Sequence, residues 1–375
     1  MKSSPMGRRR LRQLFPAMLL IPAALLAAAC SSSSSSSTAA GTSASGAAGA
    51  KALSMTSVTI AAGSSPSNAL LFIAQQEGFF KKQGLDVKWL NATTSASSAT
   101  AVILAGSAQF ILNDAPPVLL AATKGAPLRG VFCSDTGVVQ DIAISSSFAK
   151  AHNIAATATT QAEATAQFLA LKGSHAKIAV SNTASQSYYD VITLAKLNHM
   201  TVGPNGDINV VTLGTPTALV AALGTGRVDG IVNAPPTTVQ PNSIQIPLYL
   251  IPPVPISCGL PLATTTSMIS SHPDVVQAVV TAMTQAMYFV KSNPAQAKAD
   301  AKKVIEGAGI KDASFEAAYP SEATSFSNPV ITQNGYNAEV ELMNDAASPP
   351  LNLSYSQFVV PTFFNAAVKQ LGAPS

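Results

Sequence analysis

The sequence predicts an α/β protein made of two similar lobes, and three observations support that class. Residues 106–117, GSAQFILNDAPP, recur with small changes as residues 226–236, GRVDGIVNAPP. This spacing is too long for a solenoid and indicates two half-domains that face each other across a cleft. β-prone apolar runs alternate with helical patterns along most of the chain, which favours largely parallel sheets. The roughly 320 residues that follow a low-complexity N-terminal stretch are enough for two lobes.

The first 29 residues have the pattern of a secretory signal peptide. A basic start is followed by an apolar run that contains Pro16 and Pro22 and ends in Ala-Ala-Ala before Cys30. The prolines and the short length of the run argue against a permanent membrane span. A cysteine after small residues resembles a bacterial lipobox, with Ala27 where leucine is usual. We therefore expect a lipid on Cys30; the alternative is an ordinary exported protein with a spare cysteine.

Composition after the signal segment limits the possible partners. Residues 30–54 are almost entirely Ser, Ala, Gly and Thr, so they predict a disordered tether. Removal of the signal leaves 17 Lys and Arg against 18 Asp and Glu, with no basic run, and nucleic acid is therefore not an expected partner. The remaining arginines, Arg129 and Arg227, flank apolar strand-like runs. A bidentate arginine clamp for an anion is not favoured.

The first lobe is predicted to follow a strand, loop and helix order. Val58–Ala62 is apolar and β-prone, a turn-rich loop continues to Asn68, and a helix ends near Gly78. Further strands are predicted through Trp89, at 109–112 and at 128–132. Helices are predicted at 97–105 and 116–123, the second with proline in its first turn.

The second lobe repeats the scheme, and a helical region follows it. Strands are predicted at 177–181, 208–213 and 228–232, and helices at 186–197 and 217–223. Residues 235–261 are rich in proline and predict loops and short extended pieces. Helices are predicted at 273–290, after Asn293-Pro294, at 336–346 and at 356–371.

Residues 69–87, ALLFIAQQEGFFKKQGLDV, resemble the N-terminal signature of substrate-binding proteins that serve importers of nitrate, sulfonate, taurine and thiamine precursors, the NMT1/THI5-like and SsuA-like family. Similar segments at 104–130, 177–180, 226–229 and 272–274 extend the resemblance from Val58 to Gly372. The chain departs from the family at Gln109, where aspartate is usual, and in the looser segment 171–177. The resemblance implies a type II periplasmic-binding-protein fold, with two α/β lobes joined by two crossing hinge segments.

The resemblance also implies a domain plan and a role. Residues 1–29 would be the lipoprotein signal peptide, 30–54 the tether, 55–140 and 264–375 the first lobe, and 141–263 the second. The protein would be a monomer, anchored to the outer face of the cell membrane through Cys30, that captures a small organic solute and delivers it to ABC permease subunits. No cofactor or metal is implied. The scarcity of arginine favours a neutral or zwitterionic solute over a strong anion.

Ligand contacts in such a fold are expected at the carboxyl ends of strands and at the N-termini of the helices that follow. Asn113 and Asn233 occupy equivalent positions of the repeat, and Asp114, which has no counterpart, is suited to an amine or hydroxyl. Tyr188 or Tyr189 is placed to stack on a ring. The predicted ligand-binding residues are Ser65, Ser67, Asn68, Asn113, Asp114, Thr183, Ser185, Gln186, Tyr188 and Asn233. The alternative for the polar members is a role as helix cap or turn residue.

Two further cysteines, Cys133 and Cys258, remain in an oxidising compartment once Cys30 is lipidated. Both precede the predicted crossing segments, 140–146 and 260–266. If these segments run side by side, the cysteines can form a disulfide, provided that their Cα atoms lie within about 7 Å. The alternative is a pair of small buried apolar residues.

An enzyme is the rival class, because some proteins of this fold take part in pyrimidine or menaquinone synthesis. The four histidines show no zinc-binding spacing, and the chain has neither a Gly-x-Ser-x-Gly elbow nor a phosphate-loop glycine pattern. We therefore expect a binding protein rather than an enzyme. A solute-sensing lipoprotein that signals to a receptor is the third possibility.

Overall fold

The computed structural model describes residues 53–92, 96–136, 140–234, 237–251, 258–309, 312–346 and 350–372. They belong to one compact unit that spans residues 52–375. The predicted signal segment, Cys30 and the tether up to residue 52 lie outside the described residues. Ser54, the last residue of the predicted tether, is held in place, because its Oγ donates a hydrogen bond to Asp274 Oδ1 at 2.6 Å. The folded unit thus begins slightly before the predicted boundary.

Two five-stranded sheets organise the unit. The strands are β1 (Ser57–Ala62), β2 (Asp86–Asn91), β3 (Phe110–Leu112), β4 (Leu128–Cys133), β5 (Asp141–Ser145), β6 (Ala176–Val180), β7 (Ile208–Thr212), β8 (Gly230–Asn233), β9 (Ser243–Pro247) and β10 (Pro261–Thr265). The first sheet has the order β2-β1-β3-β10-β4, and the second has the order β7-β6-β8-β5-β9. We call the first sheet with the helices around it the first lobe, and the second sheet with the helices around it the second lobe.

The helices alternate with the strands and then dominate the C-terminal third. They are α1 (Ala69–Gln76), α2 (Phe79–Lys82), α3 (Ala96–Leu104), α4 (Ala115–Thr123), α5 (Ser146–Ala151), α6 (Gln161–Leu169), α7 (Gln186–Leu197), α8 (Pro216–Gly224), α9 (Thr266–Ser271), α10 (Pro273–Ser292), α11 (Pro294–Gly307), α12 (Asp312–Ser325), α13 (Gln333–Ala346), α14 (Tyr355–Phe358) and α15 (Pro361–Leu371). Two short 3₁₀ helices cover Pro66–Asn68 and Leu248–Leu250.

Each sheet contains one antiparallel strand, in its fourth place, while the other four strands run in one direction, so the sheets are largely parallel, as predicted. β10 is antiparallel to β3 and β4, and β5 is antiparallel to β8 and β9. These two strands lie within the segments that were predicted to cross between the lobes. The passage itself lies just before each strand, where Ser134 N donates to Leu260 O at 3.0 Å and Gly259 N donates to Asp135 O at 2.9 Å.

The pairing of β10 corrects the predicted lobe boundary at residue 263. All of Pro261–Thr265 is in register with β3 or β4 of the first sheet, so residues 261–263 belong to the first lobe. The two crossing stretches are joined by a disulfide between Cys133 and Cys258, whose Cα atoms are 5.6 Å apart. The disulfide links the end of β4 to the chain just before β10.

The duplicated sequence element forms the third strand of each sheet, β3 and β8. Gly106 and Gly226 precede these strands with φ values of 74° and 68°, a conformation that favours glycine. Gln109 Oε1 accepts a hydrogen bond from Thr59 N at 2.8 Å, and Asp229 Oδ2 accepts one from Lys177 N at 2.8 Å. The amide of Gln109 and the carboxylate of Asp229 therefore have the same role: each accepts a hydrogen bond from a backbone N–H of the neighbouring strand.

The C-terminal helices differ from the prediction in two places. A single helix was predicted at 356–371, but the chain breaks between α14 and α15, since Pro361 cannot continue a helix and Val360 N donates to Gly130 O at 2.9 Å. Helix α12 was not predicted, because Pro320 lies inside it. Helices α5, α6 and α9 were also missed, and each begins at a Ser or Thr side chain that caps it: Ser145, Thr160 and Thr265.

Separate apolar cores support the two lobes. The first core includes the fully buried Phe72, Phe110 and Phe132, and the second includes Phe168. Helix α7 belongs to the second lobe, yet its Tyr189 packs in the first core and is only 5% exposed. The lobes are therefore in direct contact through α7.

Candidate ligand-binding cleft

The loop after β1 is held by its own polar side chains and by a distant glutamate. Asn68 Nδ2 donates to Ser65 Oγ at 3.0 Å, and Ser67 Oγ donates to Glu322 Oε1 at 2.7 Å. Asn68 is buried, and its Oδ1 has no hydrogen-bond partner. This loop thus connects three of the predicted ligand-binding residues to a carboxyl group of α12 that the sequence did not single out.

The residues after β3 are placed at the start of α4. Asn113 is buried, and its Nδ2 donates to Thr100 Oγ1 at 3.4 Å. Asp114 stands at the N-cap position of α4, but its side chain makes no capping hydrogen bond, so a capping role does not explain it. Burial raises the pKa of the Asp114 carboxyl to about 6.

The loop after β6 leads into α7, where the predicted residues have different surroundings. Ser185 caps α7, because its Oγ accepts from Tyr188 N at 3.3 Å, and Thr183 is exposed. Gln186 Nε2 donates to Asp190 Oδ1 at 2.7 Å, one turn further along the helix. Tyr188 is half-buried, with its ring edge-on to Tyr189 at 5.5 Å between centroids.

Asn233 ends β8, as the repeat predicts, but its side chain turns back on the backbone. Its Oδ1 accepts a hydrogen bond from Ala234 N at 2.8 Å. The strand residue that pairs with it is Asp141, the first residue of β5. Asn233 thus lies beside the hinge, next to a carboxyl group.

A small cavity lies between the lobes; its enclosed part has room for about one water molecule, and about 220 Å³ is empty when the open solvent at its mouth is included. Its walls come from α4 and α13 of the first lobe and from α7 of the second. The lining residues are Pro116, Gln186, Tyr189, Asp190, Thr193, Glu339, Leu342 and Met343. Of the predicted ligand-binding residues, this lining includes Gln186, and of the tyrosine pair it includes Tyr189.

Carboxyl groups from both lobes and the hinge lie near enough to influence one another's charge, and two of them, Asp190 and Glu339, line this cavity. We call this set the carboxyl cluster: Asp114, Asp135, Asp141, Asp190, Glu322 and Glu339. Asp190 is 1% exposed, Glu322 is fully buried and Glu339 is 5% exposed. Of the six, the sequence prediction included Asp114 alone. A carboxyl group on a helix ordinarily indicates a solvated face, although the four-residue spacing of Gln186 and Asp190 on α7 offered one signal.

Burial shifts the protonation of the carboxyl cluster strongly. Loss of solvation raises the pKa of Asp190 to about 8, an effect that Gln186 partly offsets and that the charges of Asp114 and Asp135 increase. Burial and the charge of Asp190 raise the pKa of Glu339 to about 8, although its carboxyl accepts a hydrogen bond from the Cys258 amide. When more than one of these carboxyl groups is ionised, their negative charges repel each other.

Burial also raises the pKa of two further members of the cluster, Glu322 and Asp141. Burial, followed by the charge of Asp135, raises the pKa of Glu322 well above its usual range. Burial raises the pKa of Asp141 to about 7, despite a hydrogen bond from Thr238. The cluster therefore extends from the cavity to the hinge.

Counter-charges are lacking around most of this cluster. Within the described ranges, no Lys, Arg or His pairs with Asp114, Asp141, Asp190, Glu322 or Glu339, and the buried residues include no basic side chain. Arg129 is occupied elsewhere, since its guanidinium donates to the carbonyl groups of Phe358 and Ser356, and Arg227 is exposed.

Two features are absent from the described residues. No group of three or more His, Cys, Asp or Glu side chains is arranged to hold a metal ion. No described helix combines the length and apolar character that crossing a membrane requires.

Two α/β lobes with matching sheet orders, joined by paired crossing stretches, define a type II periplasmic-binding-protein fold. A family profile described as NMT1/THI5 like matches residues 65–297, which is more than half of the chain. The chain therefore belongs to the NMT1/THI5-like family. A comparison with curated proteins found no match.

Solved structures share the fold at low sequence identity. The alkanesulfonate-binding protein SsuA from Xanthomonas axonopodis pv. citri, bound to MOPS, has a TM-score of 0.61 at 16% identity, over 82% of this chain and 99% of that chain. The periplasmic nitrate-binding protein NrtA from Synechocystis PCC 6803 has a TM-score of 0.61 at 14% identity, over 86% and 91%. The ligand-binding component of an ABC-type import system from Staphylococcus aureus, with zinc bound, has a TM-score of 0.62 at 14% identity, over 84% and 99%.

Proposed function

We propose that the protein is the solute-binding component of an ABC-type importer and that it holds a small organic solute between its lobes. The observation that carries this proposal is the cavity, because α4 and α13 line it from the first lobe and α7 lines it from the second. A solute in this position contacts both lobes and therefore binds the closed form more tightly than an open form.

The structural relatives support the same role. Those compared above are described as alkanesulfonate-binding, nitrate-binding and ABC-import ligand-binding proteins. Their ligands differ while the fold is kept, so the fold supports capture of a solute without fixing which one. We infer binding rather than catalysis, with permease subunits as the partner and the monomer as the working form.

The N-terminal sequence supports an extracytoplasmic site of action. A basic start, an apolar run and a cysteine after three alanines precede a serine-rich stretch. We infer that Cys30 carries a lipid that anchors the protein to the outer face of the membrane. Labelling with an alkyne fatty acid tests this point: the wild-type chain should take up the label and the Cys30→Ser variant should not.

The binding role is tested by recovering the natural solute. Protein purified from its host is examined by native mass spectrometry, and the released solute is identified and added back. We expect it to raise the unfolding temperature, to reduce the radius of gyration in small-angle scattering and to be released chemically unchanged. A solute that binds without compaction, or is converted to a product, would contradict the proposal.

A matched pair of variants locates the site. Gln186→Ala removes a side chain from the cavity wall, so we expect the affinity for the recovered solute to fall at least tenfold. Gln76→Ala, at an exposed position of α1, should leave it unchanged. Equal affinities in the two variants would place the solute elsewhere.

A further inference from the structure

Three oxygen atoms, each in a residue that lines the cavity, lack hydrogen-bond donors. They are Gln186 Oε1, Asp190 Oδ2 and Glu339 Oε1, and none of them has a partner in the structure. Their side chains are 7%, 1% and 5% exposed, so bulk water does not satisfy them freely. A buried acceptor without a donor is costly, which makes this wall incomplete without an occupant.

The orientation of Gln186 is fixed by its neighbour. Its Nε2 donates to Asp190 Oδ1 at 2.7 Å, and with Asp190 ionised the reversed amide would set two acceptor oxygens against each other. The Gln186 amide oxygen is therefore an acceptor directed away from Asp190. Because Gln186 carries no charge, its need for a donor is independent of the carboxyl groups.

From this wall we infer that the solute is an organic cation with N–H donors, such as a primary amine, an amidine or a guanidine. This inference rests on the proposed function, since it names the solute class of the same cavity. Asp190 and Glu339 come from opposite lobes, so one N–H-bearing group between them bonds to both. A positive charge also restores ionisation of carboxyl groups that burial otherwise keeps protonated.

The charge around the cavity points to the same class. Asp114 and Glu322 add further carboxyl groups nearby, and within the described part of the chain no buried basic side chain accompanies them. A sulfonate or nitrate here would meet acceptors and carboxyl groups without a basic partner. An anionic solute is therefore disfavoured on both charge and hydrogen bonding.

The rest of the lining suits an organic body rather than a bare metal ion. Pro116, Tyr189, Leu342 and Met343 supply apolar surface beside the three acceptor oxygens. The described residues contain no metal-binding group of three side chains. The cavity thus offers polar acceptors to one end of a solute and apolar contacts to the other.

Charge-matched probes test the inference on the full-length chain purified in detergent. The first series is butylamine, butanol and butyrate, and the second is benzamidine, benzamide and benzoate. We expect the cation of each series to raise the unfolding temperature and to bind at least tenfold more tightly than its neutral counterpart, while the anion has no effect. Neutral or anionic probes that bind as tightly as the cations would overturn the inference.

Variants of the two wall carboxyl groups supply the second test. Asp190→Asn combined with Glu339→Gln should weaken the best cation at least tenfold and leave its neutral counterpart unchanged. Glu341→Gln, an exposed position on the same helix as Glu339, serves as the matched control and should keep wild-type affinity. Equal loss for cation and neutral probe would indicate a packing role only and would overturn the inference.

The outcomes separate this inference from the proposed function. If nitrate, a sulfonate or Zn²⁺ alone stabilises and compacts the protein while amines do not, the cationic solute is wrong and solute binding stands. If neither the recovered material nor any probe stabilises or compacts the protein, both the cationic solute and the proposed solute-binding function are wrong.

Discussion

At the scale of single residues, the repeat shows that an amide and a carboxylate can replace each other at one position of the two lobes. Gln109 and Asp229 occupy the same place in the two lobes, and each accepts a backbone N–H from the adjacent strand at 2.8 Å. An acceptor oxygen is what the position requires, and a negative charge is not. The departure of Gln109 from the family pattern is therefore structural in effect and leaves the cleft unaffected.

This equivalence predicts the behaviour of two substitutions at Asp229. Asp229→Asn keeps an acceptor and should change the free energy of unfolding little. Asp229→Ala leaves Lys177 N–H without its partner and should cost about 1–3 kcal/mol. Urea unfolding of the two variants checks this, and a similar loss in both would show that the charge itself is needed.

Residue patterns alone could locate the cleft but not its chemistry. Strand ends and helix starts are marked by Ser, Asn and Asp, so the prediction included Gln186, which lines the cavity, and Asp114. Glu322 and Glu339 were not included, because each lies on a helix far in sequence from the residue that donates to it, Ser67 and Cys258 respectively, and nothing local distinguishes it from a solvated glutamate. Their burial is created by tertiary packing.

At the scale of elements, most strands and helices follow from periodicity and from caps. Helix α7 has the bounds that the pattern predicted, Gln186–Leu197, because Ser185 caps it and apolar residues recur along one face. The antiparallel placement of β5 and β10 was not predictable locally, since an apolar strand carries no mark of its direction. Helix α12 was likewise not predicted, because it contains Pro320 and proline ordinarily ends a helical pattern.

The crossing elements give a prediction for the disulfide. Cys133 and Cys258 are separated by 125 residues in sequence, so their bond closes a long loop in the unfolded chain. Replacing both with serine should lower the free energy of unfolding by about 2–5 kcal/mol. Chemical unfolding measures this, with reduced wild-type protein as the control, and equal stability of the oxidised protein and the variant would contradict it.

At the scale of the whole molecule, the carboxyl cluster links lobe closure to pH. Asp190 and Glu339 have pKa values raised to about 8 in this structure, where the lobes are in contact, whereas in an open form water returns them towards 3.8 and 4.5. Between these pH values the closed form holds protons that the open form has lost. Raising the pH therefore favours the open form of the ligand-free protein.

Small-angle scattering checks this pH dependence. We expect a larger radius of gyration at pH 8 than at pH 5 for the ligand-free protein. The difference should shrink in the Asp190→Asn, Glu339→Gln double variant, because neither replacement titrates in this range. A double variant that opens as widely as the wild type would assign the effect to other groups.

The position of β10 has a consequence for the order in which the lobes can form. β10 lies between β3 and β4, so β4 has no place in the first sheet until residues 261–265 exist. The second sheet needs only the continuous stretch from Asp141 to Pro247. A chain that is synthesised from its N-terminus therefore completes the second lobe first. The first lobe can be completed only after β10 and the helices that follow it have been synthesised.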